Sequence, residues 1–132
     1  MKSVVVCGKG TLILNILKWI NLKKDEYQLS YYVPVIPYQK EILDDWDNKE
    51  IHDFCLEKGI KIIESGKIDD IPIAISDADK EYDLLIVAFY KKIITKAQLA
   101  RFGLSFNIHL SELPKYRGAR GINWGLKNEE EF

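Results

Sequence analysis

The stretch Val4-Val5-Val6-Cys7-Gly8-Lys9-Gly10-Thr11-Leu12-Ile13-Leu14-Asn15-Ile16-Leu17-Lys18-Trp19-Ile20 decides the fold. A short β-branched run is cut off by Gly8-Lys9-Gly10, and Leu12, Ile13, Ile16, Leu17 and Ile20 then recur at helical spacing. The pattern predicts strand, glycine turn, helix. Working outward, Leu29 to Ile36 predicts a second strand whose end is disturbed by Pro34 and Pro37, and Tyr38 to Asp47 a loop. Asn48 is placed to cap a helix running to Lys58, with Gly59 ending it, and Ile60 to Ile63 follows as the third strand. Within Tyr82 to Phe89, the unbroken apolar run Leu84-Leu85-Ile86-Val87-Ala88 suits a strand buried on both faces of a parallel sheet, hence a central one. Thr95 caps a helix through Leu99 and Phe102, Gly103 stops it, and Leu104 to His109 is the fifth strand. This alternation predicts an α/β fold with an open, mainly parallel sheet and helices on both faces.

Length and composition bound what such a chain does. Its 132 residues suffice for one core, with no internal repeat or linker to divide it. Hydrophobic residues make up 47% and charged residues 30%, the balance of a globular domain. A formal net charge of −1 gives no global electrostatic reason to expect nucleic acid or an anionic membrane, so a small-molecule partner is the better expectation. Cys7 and Cys55 are too few and too far apart for a disulfide framework, which fits a reducing, cytoplasmic setting. The apolar run Ser3 to Ile20 is interrupted by Gly8, Lys9, Gly10, Asn15 and Lys18, so no membrane span is expected.

In open α/β sheets, ligands bind beyond the carboxyl ends of the strands. Gly8-Lys9-Gly10 sits at such an end and can cradle a phosphate at a helix N-terminus. It lacks the third glycine of a dinucleotide fingerprint and the acidic residue that should follow, so a plain tight turn is the better reading. The segment Phe106 to Gly118 is more informative. Asn107 and His109 are two apart at a strand end, so their side chains leave on one face and can converge on one small atom. Residues 110–121 follow as a loop punctuated by Pro114, Gly118 and Gly121, with Lys115 and Arg117 at the mouth of the site. The bland alternative is an asparagine satisfying a backbone group, a core histidine and two solvated charges.

A longer pattern separates the two readings. Asn107-Ile108-His109-Leu110-Ser111-Glu112-Leu113-Pro114-Lys115-Tyr116-Arg117-Gly118, followed by Ile122-Asn123-Trp124, resembles the signature of the folate-dependent formyltransferases, roughly N-x-H-x-S-x-L-P-x-Y-R-G. Glu112 stands where that family usually has leucine, and Ala119-Arg120-Gly121 replaces a stretch that often ends in proline. The resemblance implies a Rossmann-like N-terminal domain that moves a formyl group from N10-formyltetrahydrofolate to an amine. It implies catalytic roles for Asn107 and His109, with Asn107 also near the folate. It places the pterin against the loop after the central strand, where Lys92, Ile93 and Ile94 are the candidates for cofactor contact, against the alternative that Ile93 and Ile94 are core.

The family also uses an aspartate roughly 35 residues after the histidine. No residue of this chain takes that role, so residues 1–132 are expected to be a catalytic domain truncated on its C-terminal side, prone to self-association as a homo-oligomer along its last strand. For the acceptor, the Trp46 segment and Phe54 to Lys58 look most similar to the sugar-nucleotide branch, so a nucleotide-linked amino sugar is the first expectation. Methionyl-tRNA and glycinamide ribonucleotide are the alternatives within the family, with the neutral charge weighing against tRNA. A non-catalytic α/β binding module or an inactive fragment is the alternative outside it. No metal is expected.

Overall fold

The computed structural model describes residues 1–35, 46–75 and 79–108. Five strands form one parallel sheet: β1 (Lys2–Gly8), β2 (Tyr27–Val33), β3 (Lys61–Ile62), β4 (Tyr82–Ala88) and β5 (Phe102–Ile108). Their order is β3-β2-β1-β4-β5. The helices are α1 (Thr11–Leu22), α2 (Trp46–Lys58) and the single turn α3 (Lys96–Leu99), with a 3-10 turn at Ile68–Asp70. The chain is therefore the α/β sheet that the strand and helix periodicities predict.

Two apolar layers explain why the strands are where they are. Val4 to Cys7 are fully buried, with alternate residues serving opposite faces. On one face Val4 and Val6 meet Ile13, Leu14, Leu17 and Ile20 of α1 and Ile51 and Cys55 of α2. On the other, Val5, Cys7, Leu85 and Val87 meet Ile68, Ile71 and Phe102, with Leu99 of α3 packed against them. Each such aliphatic side chain contributes about 1.5–3 kcal/mol relative to exposure. A strand that fills both layers has no room for polar residues, which is why β1 and β4 read as continuous apolar runs.

Element ends differ from expectation where tertiary contacts override local signals. β2 begins at Tyr27 rather than Leu29 and stops at Val33, because Pro34 has no N–H to continue the ladder. Asn48 does not cap α2, which starts at Trp46 and leaves Asn48 buried inside its first turn. The other end follows the sequence: Gly59 (φ 72°) takes the left-handed conformation, its N–H donates to Leu56 O, and Ile60 N–H reaches back to Cys55 O at 2.8 Å, closing a Schellman motif. β3 is two residues long, not four.

The expected helix through Phe102 is shorter as well. Thr95 and Gln98 do form a reciprocal capping box, but α3 ends at Leu99. Phe102 opens β5, packed on Tyr82 with ring centroids 5.9 Å apart. Gly103 is a strand residue, not a stop, and a Cβ there would stand 3.0 Å from Asp83 O. Arg101 fixes this junction. Its guanidinium donates two bonds of 2.9 Å to the Glu81 carboxylate and further bonds to the carbonyls of Ile68, Ile71 and Pro72.

Candidate functional site

Chain direction in the sheet defines the candidate site. From β1 the chain turns to β2, while from β4 it turns the opposite way to β5, so the two connections diverge at the boundary between β1 and β4. That divergence opens a crevice beyond the carboxyl ends, where Gly8 pairs with Ala88 and Ala88 with Ile108.

Gly8 lies so close to β4 that a Cβ would stand 1.7 Å from Ala88 O, and its φ of 132° is unfavourable for any other residue. Lys9 N–H donates to that same Ala88 oxygen, and the Gly8 carbonyl accepts from the buried Tyr32 hydroxyl. The glycine thus serves a close approach of two backbones, which accounts for it without a phosphate. Gly10 precedes α1, accepts from Leu14 N–H at 3.1 Å and provides no side-chain cap.

Phe89 turns the chain out of β4 at a φ of 57°, a conformation a bulky residue adopts only when its surroundings hold it there. Its ring approaches Gly10, whose Cβ would be 3.9 Å from Phe89 Cδ2, so the turns after β1 and β4 touch over the crevice. Nothing in the sequence signals this. An aromatic residue at a strand end carries no mark of left-handed backbone.

The segment after Phe89 carries the three residues expected to meet the cofactor. Lys92 donates its ammonium to Gly66 O at 2.8 Å, and the Tyr90 hydroxyl donates to the same oxygen at 2.6 Å. Burial, followed by the nearby Cys7 and Asp69, pushes the Tyr90 hydroxyl up to a pKa of about 12, so it remains a donor across the working pH range. Ile94 packs into the layer of Val5, Cys7 and Val87, as its core alternative required, whereas Ile93 is 90% exposed.

Asn107 pairs with Val87, two residues before Phe89, at the carboxyl end of β5. Phe106 and Ile108 line a groove on the α1 side, so Asn107, alternating with them, belongs to the opposite face with Val87. The structure thus brings Asn107 and the segment 89–94 to one end of adjacent strands. His109, Lys115, Arg117 and the loop 110–121 lie outside the described residues, as does most of the loop expected over Tyr38 to Asp47. The groove on the α1 side, about 500 Å³ between Ile16, Trp19, Ile86, Phe106 and Ile108, is lined by none of the candidate catalytic or cofactor-binding residues. Among the described residues, no three His, Cys, Asp or Glu side chains gather to hold a metal ion, and no helix is long and apolar enough to cross a membrane.

Comparisons with known proteins fit this arrangement. A family model described as formyl transferase matches residues 3–131. A methionyl-tRNA formyltransferase of Ruminiclostridium cellulolyticum is 40% identical over 82 residues, covering 61% of this chain and 26% of that protein. One from Clostridium tetani is 39% identical over 85 residues, covering 62% and 27%. One from Caldanaerobacter subterraneus is 32% identical over 84 residues, covering 61% and 27%. The match thus spans about a quarter of the length of these curated relatives. With the family model matching nearly the whole sequence, the chain belongs to the formyl transferase family.

Proposed function

We propose that this domain transfers a formyl group from N10-formyltetrahydrofolate to a primary amine in the crevice beyond β1, β4 and β5. The family match over residues 3–131 carries the proposal. The placement of Asn107 beside the segment 89–94 supports it. The amine nitrogen attacks the formyl carbon and the carbonyl oxygen becomes an oxyanion. The Asn107 amide N–H and a protonated His109 act as donors to that oxyanion, and preorganised donors of this kind are worth about 10²–10³ in rate. Collapse of the intermediate breaks the bond to N10 of the folate, which takes up a proton as the attacking nitrogen loses one. Lys92, Ile93 and Ile94 lie along the pterin, with Ile93 giving an apolar edge and the others contributing mainly backbone.

The acceptor reading is methionyl-tRNA. The curated relatives carry that name, and nothing in the comparisons supports the nucleotide-linked amino sugar first expected. A net charge of −1 describes these 132 residues alone and does not count against tRNA. The deciding experiment supplies N10-formyltetrahydrofolate to the protein as encoded, with either charged initiator methionyl-tRNA or a panel of amino-sugar nucleotides. Formyl transfer to methionyl-tRNA alone is expected. Transfer to an amino-sugar nucleotide alone would replace the acceptor, and turnover with neither would remove the enzymatic reading in favour of a binding module.

A further inference from the structure

Three segments meet at Gly66, on the carboxyl side of the sheet. Gly66 sits in the turn after β3 with φ 71°, and a Cβ there would be 2.7 Å from Pro34 O, just past β2, and 3.2 Å from Lys92 Nζ. No other side chain fits that turn. The Gly66 carbonyl, with two lone pairs, accepts from both the Tyr90 hydroxyl and the Lys92 ammonium. Lys92 Nζ also stands 5.9 Å from the Tyr90 ring centroid, within cation–π range. The Lys92 ammonium is thereby turned back onto its own fold.

We infer that Lys92 is a positioning residue: with Tyr90 it clasps the segment 89–94 onto Gly66, so that the exposed Ile93 and its neighbouring backbone meet the ligand in one fixed arrangement. The inference rests on the reading that a reduced folate lies along this segment, and it replaces a direct ligand contact by the Lys92 side chain with an indirect one. The segment needs such a tie. It leaves β4 through the strained Phe89, and Ile93 has almost no contacts of its own. A segment fixed before binding loses less freedom when the ligand arrives, which appears as affinity.

The test uses the protein as encoded and two probes, tetrahydrofolate, which carries the glutamate carboxylates, and tetrahydropteroic acid, which lacks them. Lys92→Met is expected to weaken both by the same factor, about tenfold, as for the loss of one charge-assisted hydrogen bond. Lys92→Arg should restore most of the affinity, and Tyr90→Phe should weaken both probes as well. In the ligand-free protein, Lys92→Met should speed amide exchange at 65–67 and 89–94 while leaving β1 and β4 unchanged. A loss confined to tetrahydrofolate would make Lys92 a contact to the glutamate and overturn the positioning role. So would unaltered affinity for both probes, even with a lowered Tm. Failure of the unmutated protein to bind either probe would overturn the folate reading and this role together, whereas binding that Lys92→Met leaves intact overturns this role alone.

Discussion

Gly8 and Ala88 stand so close across β1 and β4 that a methyl group on Gly8 would lie 1.7 Å from the Ala88 carbonyl oxygen. The floor of the crevice is therefore two backbones in contact, and any side chain at Gly8 must push the central strands apart. Gly8→Ala is expected to cost at least about 3 kcal/mol, combining a clash with an unfavourable φ. A urea midpoint equal to that of the unmutated protein would contradict the close approach.

Arg101 and Glu81 hold the connection into β4 and the entry to β5 by a paired, two-bond contact. Side-chain exposure is only 15% for Arg101 and 23% for Glu81, and Arg101 also satisfies three carbonyls. Arg101→Ala should destabilise by about 2 kcal/mol, the scale for hydrogen bonds to a charged group lost from a half-buried site. Replacing Arg101 with no change in denaturation midpoint would show the pair to be ornamental.

The same pair sets a pH dependence. The hydrogen bond from Arg101 holds the Glu81 carboxyl below its ordinary value of 4.5, against the opposing effect of burial. A depressed folded-state pKa contributes stability that is complete above the unfolded value and is lost as pH falls through the folded one. Acid unfolding of the unmutated protein should thus show a loss of stability beginning near pH 4.5 and continuing below it. In Glu81→Gln that part of the pH dependence should disappear, and an unchanged acid profile would refute the assignment.

Cys7 and Cys55 are buried, and burial pushes both thiols up, Cys55 to about 12, so neither forms a reactive thiolate at neutral pH. Neither should react with a thiol reagent in the native protein, and both should react once it is unfolded. Rapid labelling of Cys7 under native conditions would place β1 nearer the surface than the sheet order allows.

What could be read in advance follows from where the information resides. β1 and β4 are legible because burial on both faces leaves an unbroken apolar run, and the end of α2 because Gly59 and Ile60 carry a local capping pattern. The strand expected over Leu29 to Ile36 overruns β2 because the sequence stays apolar from Tyr31 through Pro34, although the missing N–H stops the ladder. Phe102 reads as helical since its spacing from Leu99 is three, while its place in β5 depends on Tyr82, twenty positions earlier. The turn at Ile68–Asp70 is too short to show a period and is held by Arg101 from a distance. The position of Asn107 near a strand end is legible from the strand periodicity. Phe89 and the clasp on Gly66 are not, since a backbone torsion and a shared carbonyl leave no trace in residue type.

The central claim is that Asn107 stabilises the oxyanion of formyl transfer, and it is tested most directly by Asn107→Ala in the protein as encoded. Turnover of N10-formyltetrahydrofolate with methionyl-tRNA is measured beside the dissociation constant of tetrahydrofolate. A donor that acts in the transition state predicts a fall in kcat of about 10²–10³, with folate affinity changed by no more than about threefold. Undiminished turnover, or a loss of folate binding large enough to account for the whole loss of rate, would contradict it.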